Sequence, residues 1–102
     1  MLEIRPNCEL CDCDLPANAE NAMICSYECT YCDACAHGVL ANVCPKCGGG
    51  FVPRPIRPAH EWRKGLGLGA HPASEKRVHT TFSTAEIAAH VARIKDIAPG
   101  DR

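Results

Sequence analysis

Nine cysteines lie within the first 47 residues of this 102-residue chain, and none follows them. Most fall in pairs separated by two residues, as in "CELC", "CDAC" and "CPKC". Two cysteines three positions apart on a tight turn direct both sulfurs at one point, which is half of a tetrahedral zinc site. These residue types and spacings therefore indicate metal coordination by thiolates.

Disulfides are the alternative use of so many thiols. The opening "MLEIRPNCEL" has neither the apolar run nor the basic lead-in of a secretory signal, so it gives no indication of an oxidising compartment. The odd number of cysteines would also leave one unpaired. No stretch approaches the roughly 18 apolar residues of a membrane span. We therefore predict zinc binding and a cytoplasmic location.

Eight of the cysteines form four pairs, which supply the ligands of two tetrahedral all-thiolate sites. In chain order these pairs are Cys8 and Cys11, Cys25 and Cys29, Cys32 and Cys35, and Cys44 and Cys47. The pairs combine either sequentially or in interleaved order. Interleaving suits a segment with few large apolar side chains, because neither half then has to fold alone.

The ninth cysteine, Cys13, follows Cys11 by two residues, and we interpret it as a surface thiol on the first metal-binding turn. A substitute ligand or a redox group is the alternative. His37 is predicted to neighbour a metal site without binding the ion. The remaining histidines, which show no catalytic spacing, are His60, His71, His79 and His90. We predict two closed structural zinc sites, no catalytic residues and no enzymatic activity.

The order and spacing of the eight cysteines resemble those of RING fingers, in which a cross-brace binds two zinc ions. Leu10 in "CELC", Tyr31 before Cys32 and Pro45 in "CPKC" add to the likeness, whereas Cys29 stands where RING fingers usually have histidine. The resemblance implies interleaved pairing. The first zinc ion would then bind Cys8, Cys11, Cys32 and Cys35, and the second would bind Cys25, Cys29, Cys44 and Cys47.

A closer resemblance covers about residues 1–58. The stretches "MLEIRPNCELCD", "ICSYECTYCDAC" and "CPKCGGGFVPRPIRP" are similar to a bacterial family of short cysteine-rich proteins, domain of unknown function 1272. This likeness implies a fold but no known activity. The predicted fold class is a small metal-stapled α+β protein. It has a RING-like binuclear zinc finger with a short hairpin and helix over 1–58, a linker or arm over 59–80 and a C-terminal amphipathic helix region over 81–98.

The elements after the cysteines must pack on them or on a partner. Prolines predict that "FVPRPIRP" is an edge strand or an extended arm, and the glycine-rich stretch that follows is predicted to be a loop or a loosely held linker. We expect Trp62 in this stretch to cover the zinc domain, with a role as a partner anchor as the alternative.

A helix is predicted to begin at Ser83, because Glu86 completes a capping box three residues later. Its apolar stripe is Ile87, Val91, Ile94 and Ala98. Such a helix of about 15 residues is marginal alone in water. We therefore expect the stripe to pack on the chain's own zinc domain, with a homodimer contact as the alternative.

Charge is unevenly distributed along the chain, whose overall net charge is −1. Residues 1–47 carry seven acidic and two basic side chains, a formal net charge of −5, and two four-thiolate zinc sites would make it about −9. Residues 54–77 carry six basic and two acidic side chains, and we expect this basic arm to lie against the acidic head. Nucleic-acid binding is disfavoured, because most of its affinity comes from neutralising phosphate charges, which an acidic head opposes.

The predicted function is a zinc-binding structural and protein-interaction module whose partner is unknown. One alternative is a RING-type ubiquitin-ligase-like adaptor, in which Leu10 and Pro45 would contact the conjugating enzyme. Gly48 departs from that pattern, because active RING fingers often have a long basic side chain there. The other alternative is a thiol redox or zinc-responsive regulator, suggested by Cys13 and the density of sulfur.

Overall fold

Three very short strands form an antiparallel sheet in the computed structural model, which describes residues 1–102. The strands are β1 (Ala22–Ile24), β2 (Thr30–Cys32) and β3 (Val52–Pro53), and β1 lies between the other two. Met23 pairs with Tyr31 on one side and with Pro53 on the other. Proline is tolerated there because β3 is at the sheet edge. The predicted edge strand is thus confirmed for its first residues.

A tight turn joins β1 to β2, and the first helix follows directly. In the turn, the Cys25 amide donates to the Cys29 carbonyl (3.2 Å), and Glu28 adopts a left-handed φ of 67°. Helix α1 spans Asp33–His37 and ends at Gly38. A hairpin followed by a helix is the order that the RING resemblance implies. The RING-like assignment itself stays a prediction.

The hydrophobic core has 15 buried residues, and five of them are cysteines. Tyr31 and Phe51 meet edge-to-face in it, with ring centroids 5.2 Å apart. Its largest fully buried aliphatic side chains include Leu15, Leu40 and Val43. A third of the core residues are thus cysteines, so large apolar side chains supply only part of the buried surface.

Arg54 anchors the start of the basic arm inside the acidic head. Its side chain is almost fully buried, and its guanidinium donates to the backbone carbonyls of Arg5 (2.7 Å), Leu15 (3.2 Å) and Pro16 (2.9 Å). These carbonyls satisfy the buried cation without a carboxylate partner. The arm therefore lies against the head as expected, although at this residue backbone oxygens are the acceptors.

Residues 74–80 also lie along the head, as a loop held by hydrogen bonds rather than as a loosely held linker. The buried side chain of Asn7 accepts from the Val78 N–H through Oδ1 (3.3 Å) and donates to the Val78 carbonyl through Nδ2 (2.8 Å). Thr80 donates its amide to the Glu9 carbonyl (2.8 Å). The side chain of one buried asparagine thus binds the backbone of a segment whose sequence does not predict a strand.

Trp62 does not cover the cysteine-rich head, and that expectation is wrong. Its side chain is 82% exposed and contacts the His60 ring edge-on, with centroids 6.3 Å apart. The surrounding loop turns at Gly65 and Gly67, and both glycines have a left-handed φ. The C-terminal helix, rather than this tryptophan, packs on the head.

Helix α2 spans Thr84–Ile94 and confirms the capping box. The Ser83 hydroxyl accepts from the Glu86 amide (3.1 Å), and the Glu86 carboxylate accepts from the Ser83 amide (3.1 Å). Ile87 and Val91 are buried in the chain's own core, so the apolar stripe packs within this chain.

The predicted extension of the helix to Ala98 is wrong. Pro99 opens a separate 3₁₀ turn, Pro99–Asp101, and Ala98 before it has an extended ψ of 139°. Proline disfavours the helical conformation of the preceding residue, so α2 ends before Ala98. None of the helices is long and apolar enough to cross a bilayer.

Candidate metal centre

Four sulfur atoms meet at the first cluster, those of Cys8, Cys11, Cys13 and Cys32, each within 4.8 Å of the others. A short loop brings three of them together. Asp12 adopts a left-handed φ of 65° and donates its amide to the Cys8 carbonyl, while the Cys8 amide donates to the Cys13 carbonyl (both 2.9 Å). The loop therefore closes on itself, and the end of β2 supplies the fourth sulfur.

Cys35 is a predicted first-site ligand that lies outside this mutual distance. Burial and then hydrogen bonding to Cys32 raise the pKa of the Cys35 thiol. The structure thus brings three of the four predicted first-site ligands together with Cys13, and leaves Cys35 outside their mutual distance.

The second cluster contains Cys25, Cys44 and Cys47, whose sulfurs also lie within 4.8 Å of one another. The turn after β1 supplies the first of these, and the "CPKC" turn supplies the others, closed by the Gly48 amide donating to the Cys44 carbonyl (2.9 Å). Cys29 lies outside the mutual distance, but hydrogen bonding from Cys44 lowers the pKa of the Cys29 thiol. Cys29 therefore stays a predicted ligand of this site.

The cysteines of the two clusters come together in interleaved order. The first cluster joins the opening pair to Cys32, and the second joins Cys25 to the "CPKC" pair. Sequential grouping would have joined Cys25 to the opening pair. The exact set of eight ligands stays a prediction.

One sulfur–sulfur distance in the first cluster matches that of a tetrahedral thiolate site. Zinc–sulfur bonds of about 2.3 Å place neighbouring sulfurs of a tetrahedron about 3.8 Å apart, and the sulfurs of Cys11 and Cys32 are 3.8 Å apart. Three backbone amides donate to cluster sulfurs, at Cys8 (3.5 Å), Cys25 (3.3 Å) and Cys47 (3.4 Å). Such donors stabilise metal-bound thiolates, and all-sulfur donor sets suit soft metals, among them zinc, copper(I) and the iron of iron–sulfur clusters.

Burial sets the protonation of the thiols when no ion is bound. Desolvation raises the pKa of Cys25 to about 11, whereas hydrogen bonding from the Cys13 backbone lowers the pKa of Cys11 to about 7. Cys25 is therefore protonated at neutral pH in the metal-free chain. Metal binding must release that proton, so metal affinity falls as the pH falls.

Glu9 links the first metal-binding turn to the start of β2, and the cysteine spacing gave no signal of it. It follows Cys8 of the first cluster, and its buried carboxylate accepts from the amide of Thr30 (2.5 Å), the residue after Cys29. Arg5 donates to the same carboxylate oxygen (2.8 Å). Burial would lower the pKa of Arg5, but hydrogen bonds to Glu9 and Glu3 raise it.

Two histidines from the C-terminal part of the chain contact the metal-binding turns through backbone atoms. His79 Nε2 is 3.0 Å from the Leu10 carbonyl, and His90 Nε2 is 3.0 Å from the Cys44 carbonyl. Because a carbonyl only accepts, Nε2 carries the proton in both rings. His37 is exposed and belongs to neither cluster.

Comparison with known proteins gives a family match and one relative. Residues 1–57 match the family described as "Protein of unknown function (DUF1272)". The chain is 51% identical over 78 residues to "Uncharacterized protein R02474" of Rhizobium meliloti (strain 1021), which covers 76% of this chain and 86% of that protein. No solved structure matches the chain.

Proposed function

The chain belongs to the DUF1272 family of proteins of unknown function, and we propose that it is a zinc-binding module stapled by two closed four-thiolate sites in a RING-like cross-brace. The interleaved thiol clusters are the observation that carries this proposal. Zinc would supply the links between chain segments that the small aliphatic core does not.

Elemental analysis of the purified chain tests the proposal. We expect two zinc ions per chain, and we expect unfolding when a strong chelator removes them, with refolding on addition of zinc and not of magnesium. Structural zinc sites contribute about 10–16 kcal/mol of apparent binding free energy, which equals or exceeds the stability of a typical domain. A metal-free chain that keeps its near-ultraviolet circular dichroism in chelator would contradict the proposal.

The same donor set supports a role in protein interaction rather than in catalysis. Four thiolates around each ion leave no position for a reacting water. Trp62 is 82% exposed, and tryptophan is enriched among the residues that dominate binding interfaces. We therefore propose it as the anchor for a protein partner. A reducing compartment such as the cytoplasm would keep the nine thiols available for metal.

The packing of α2 counts against the ubiquitin-ligase-like alternative. Pro45 is buried, and with Phe82 and His90 it lines a groove beside the helix. Leu10, the other residue implicated by the RING resemblance, is partly buried against the core that contains Ile87. A conjugating enzyme would have to displace α2 to reach both residues. The redox alternative stays a prediction, to be tested by zinc release in dilute peroxide.

A further inference from the structure

The first cluster differs in one member from the ligand set that the sequence predicts. Cys8, Cys11 and Cys32 belong to both sets. The fourth sulfur of the cluster is that of Cys13, which lies within 4.8 Å of the other three, whereas Cys35 is outside this mutual distance. Sulfurs around a tetrahedral zinc ion lie about 3.8 Å apart. Small side-chain movements would therefore bring the four clustered sulfurs to bonding distance of one ion.

A short hairpin explains why the sulfurs of Cys8 and Cys13 lie close together. Asn7 and Asp14 form an antiparallel bridge, so Cys8 and Cys13 are the next pair of opposed residues. The Cys8 amide donates to the Cys13 carbonyl (2.9 Å), which joins the two backbones. Side chains of directly opposed residues lie on the same face of an antiparallel pair. The hairpin therefore directs both sulfurs to one side.

Contacts on both sides of Cys13 hold this hairpin in place. The Arg77 guanidinium donates to the Asp12 carbonyl (2.6 Å) and to the Asp14 carboxylate (2.7 Å). The buried side chain of Asn7 donates to the Asp12 carboxylate (2.9 Å). The residues before and after Cys13 are thus fixed by contacts within the protein, so its place in the cluster is part of the fold.

We propose that Cys13, and not Cys35, is the fourth ligand of the first metal ion. The inference rests on the proposed zinc binding and changes one member of the ligand set. Three ligands then come from the hairpin and one from the end of β2, so the ion ties the hairpin to the sheet. Cys35, which lies half-buried in α1, remains a free thiol. The two sites stay interleaved, because Cys25 of the second cluster falls between Cys13 and Cys32 in the sequence.

Cobalt substitution tests this ligand set, because the thiolate-to-cobalt absorption scales with the number of bound thiolates. In chains loaded with two cobalt ions, we expect Cys13→Ser to lose about one eighth of the wild-type intensity, since seven thiolates then bind where eight did. Cys35→Ser is the matched control and should keep the full intensity. Cys47→Ser, at the second cluster, shows the size of the loss of one thiolate. Full intensity in Cys13→Ser, or a loss in Cys35→Ser, would overturn the proposed ligand.

Alkylation of the unmodified zinc-loaded chain tests the same ligand set if the variants do not fold. Cys13 is exposed and Cys35 is half-buried, so accessibility alone predicts that N-ethylmaleimide labels Cys13 first. We expect the opposite order, with Cys35 labelled first and Cys13 protected by the ion, as located by peptide mass mapping. Earlier labelling of Cys13 would overturn the proposed ligand while leaving the zinc-binding proposal intact. A chain that binds no zinc would instead remove the proposed function and this ligand with it.

Discussion

Among the acidic residues of the head, only Glu9 is buried. A buried carboxylate is costly unless its oxygens are paired, and here Arg5 and the Thr30 amide both donate to the same oxygen. Glu3 also binds Arg5 (3.1 Å), but its side chain is 57% exposed. The two glutamates share one cation and differ in burial, so they form a matched pair for measuring what burial contributes.

We predict that Glu9→Gln lowers the free energy of unfolding by about 2 kcal/mol, because a charged hydrogen-bond acceptor is lost in a buried site. Glu3→Gln should cost less than about 1 kcal/mol, since exposed ion pairs contribute little. Chemical denaturation at a fixed excess of zinc measures both. Equal effects of the two substitutions would show that Glu9 is only a surface charge.

At the residue scale, the sequence predicts what neighbouring positions encode. The C-x-x-C spacing acts within four residues and pairs Cys8 with Cys11, whereas it was the RING resemblance that implied their grouping with Cys32; the three sulfurs lie in one cluster. Cys13 could not be placed in this way, because its position depends on a left-handed residue at Asp12 and on Arg77 far along the chain. Glu9 was missed for the same reason, since its partner Thr30 is distant in sequence.

At the element scale, α2 and the "CPKC" turn fit each other closely. Gly48 has a left-handed φ of 80°, and a Cβ there would lie 3.3 Å from Ile94 Cδ1 and 3.9 Å from His90 Nε2. The long basic side chain that active RING fingers often carry at this position would therefore collide with α2. The start of α2 could be predicted from Ser83 and Glu86. The packing of α2 on the "CPKC" turn could not, because it depends on tertiary contacts.

We predict that Gly48→Ala lowers the melting temperature by about 5 °C or more, because left-handed strain costs at least about 1 kcal/mol and the methyl group presses on α2. Gly65→Ala is the matched control. Gly65 has a similar φ of 85° but nothing within 4 Å of its Cβ, so it reports strain alone. Thermal unfolding at fixed zinc compares the two variants. An equal or larger effect at Gly65 would contradict close packing of α2 on the turn.

At the scale of the whole molecule, the fold is stabilised by a small apolar core and by many contacts between segments that are distant in sequence. The aliphatic core is small, and the arm and residues 74–80 reach the head through polar contacts from Arg54, Arg57 and Arg77. The contacts of Arg77 are exposed, and exposed ion pairs contribute little free energy. The clusters, each joining segments on either side of a ligand of the other, would be the strongest available links once filled with metal as proposed.

This interlocking leads us to predict that zinc binds cooperatively. One ion alone would order segments that are not yet held at the second cluster. The full free energy of folding is therefore gained only when both clusters bind zinc. With one equivalent of zinc, native mass spectrometry should therefore find mainly metal-free and two-zinc chains. Sequentially paired sites would fold separately, and a one-zinc form would accumulate. Dominance of the one-zinc form, with half of the folding signal recovered, would contradict the interleaved assembly.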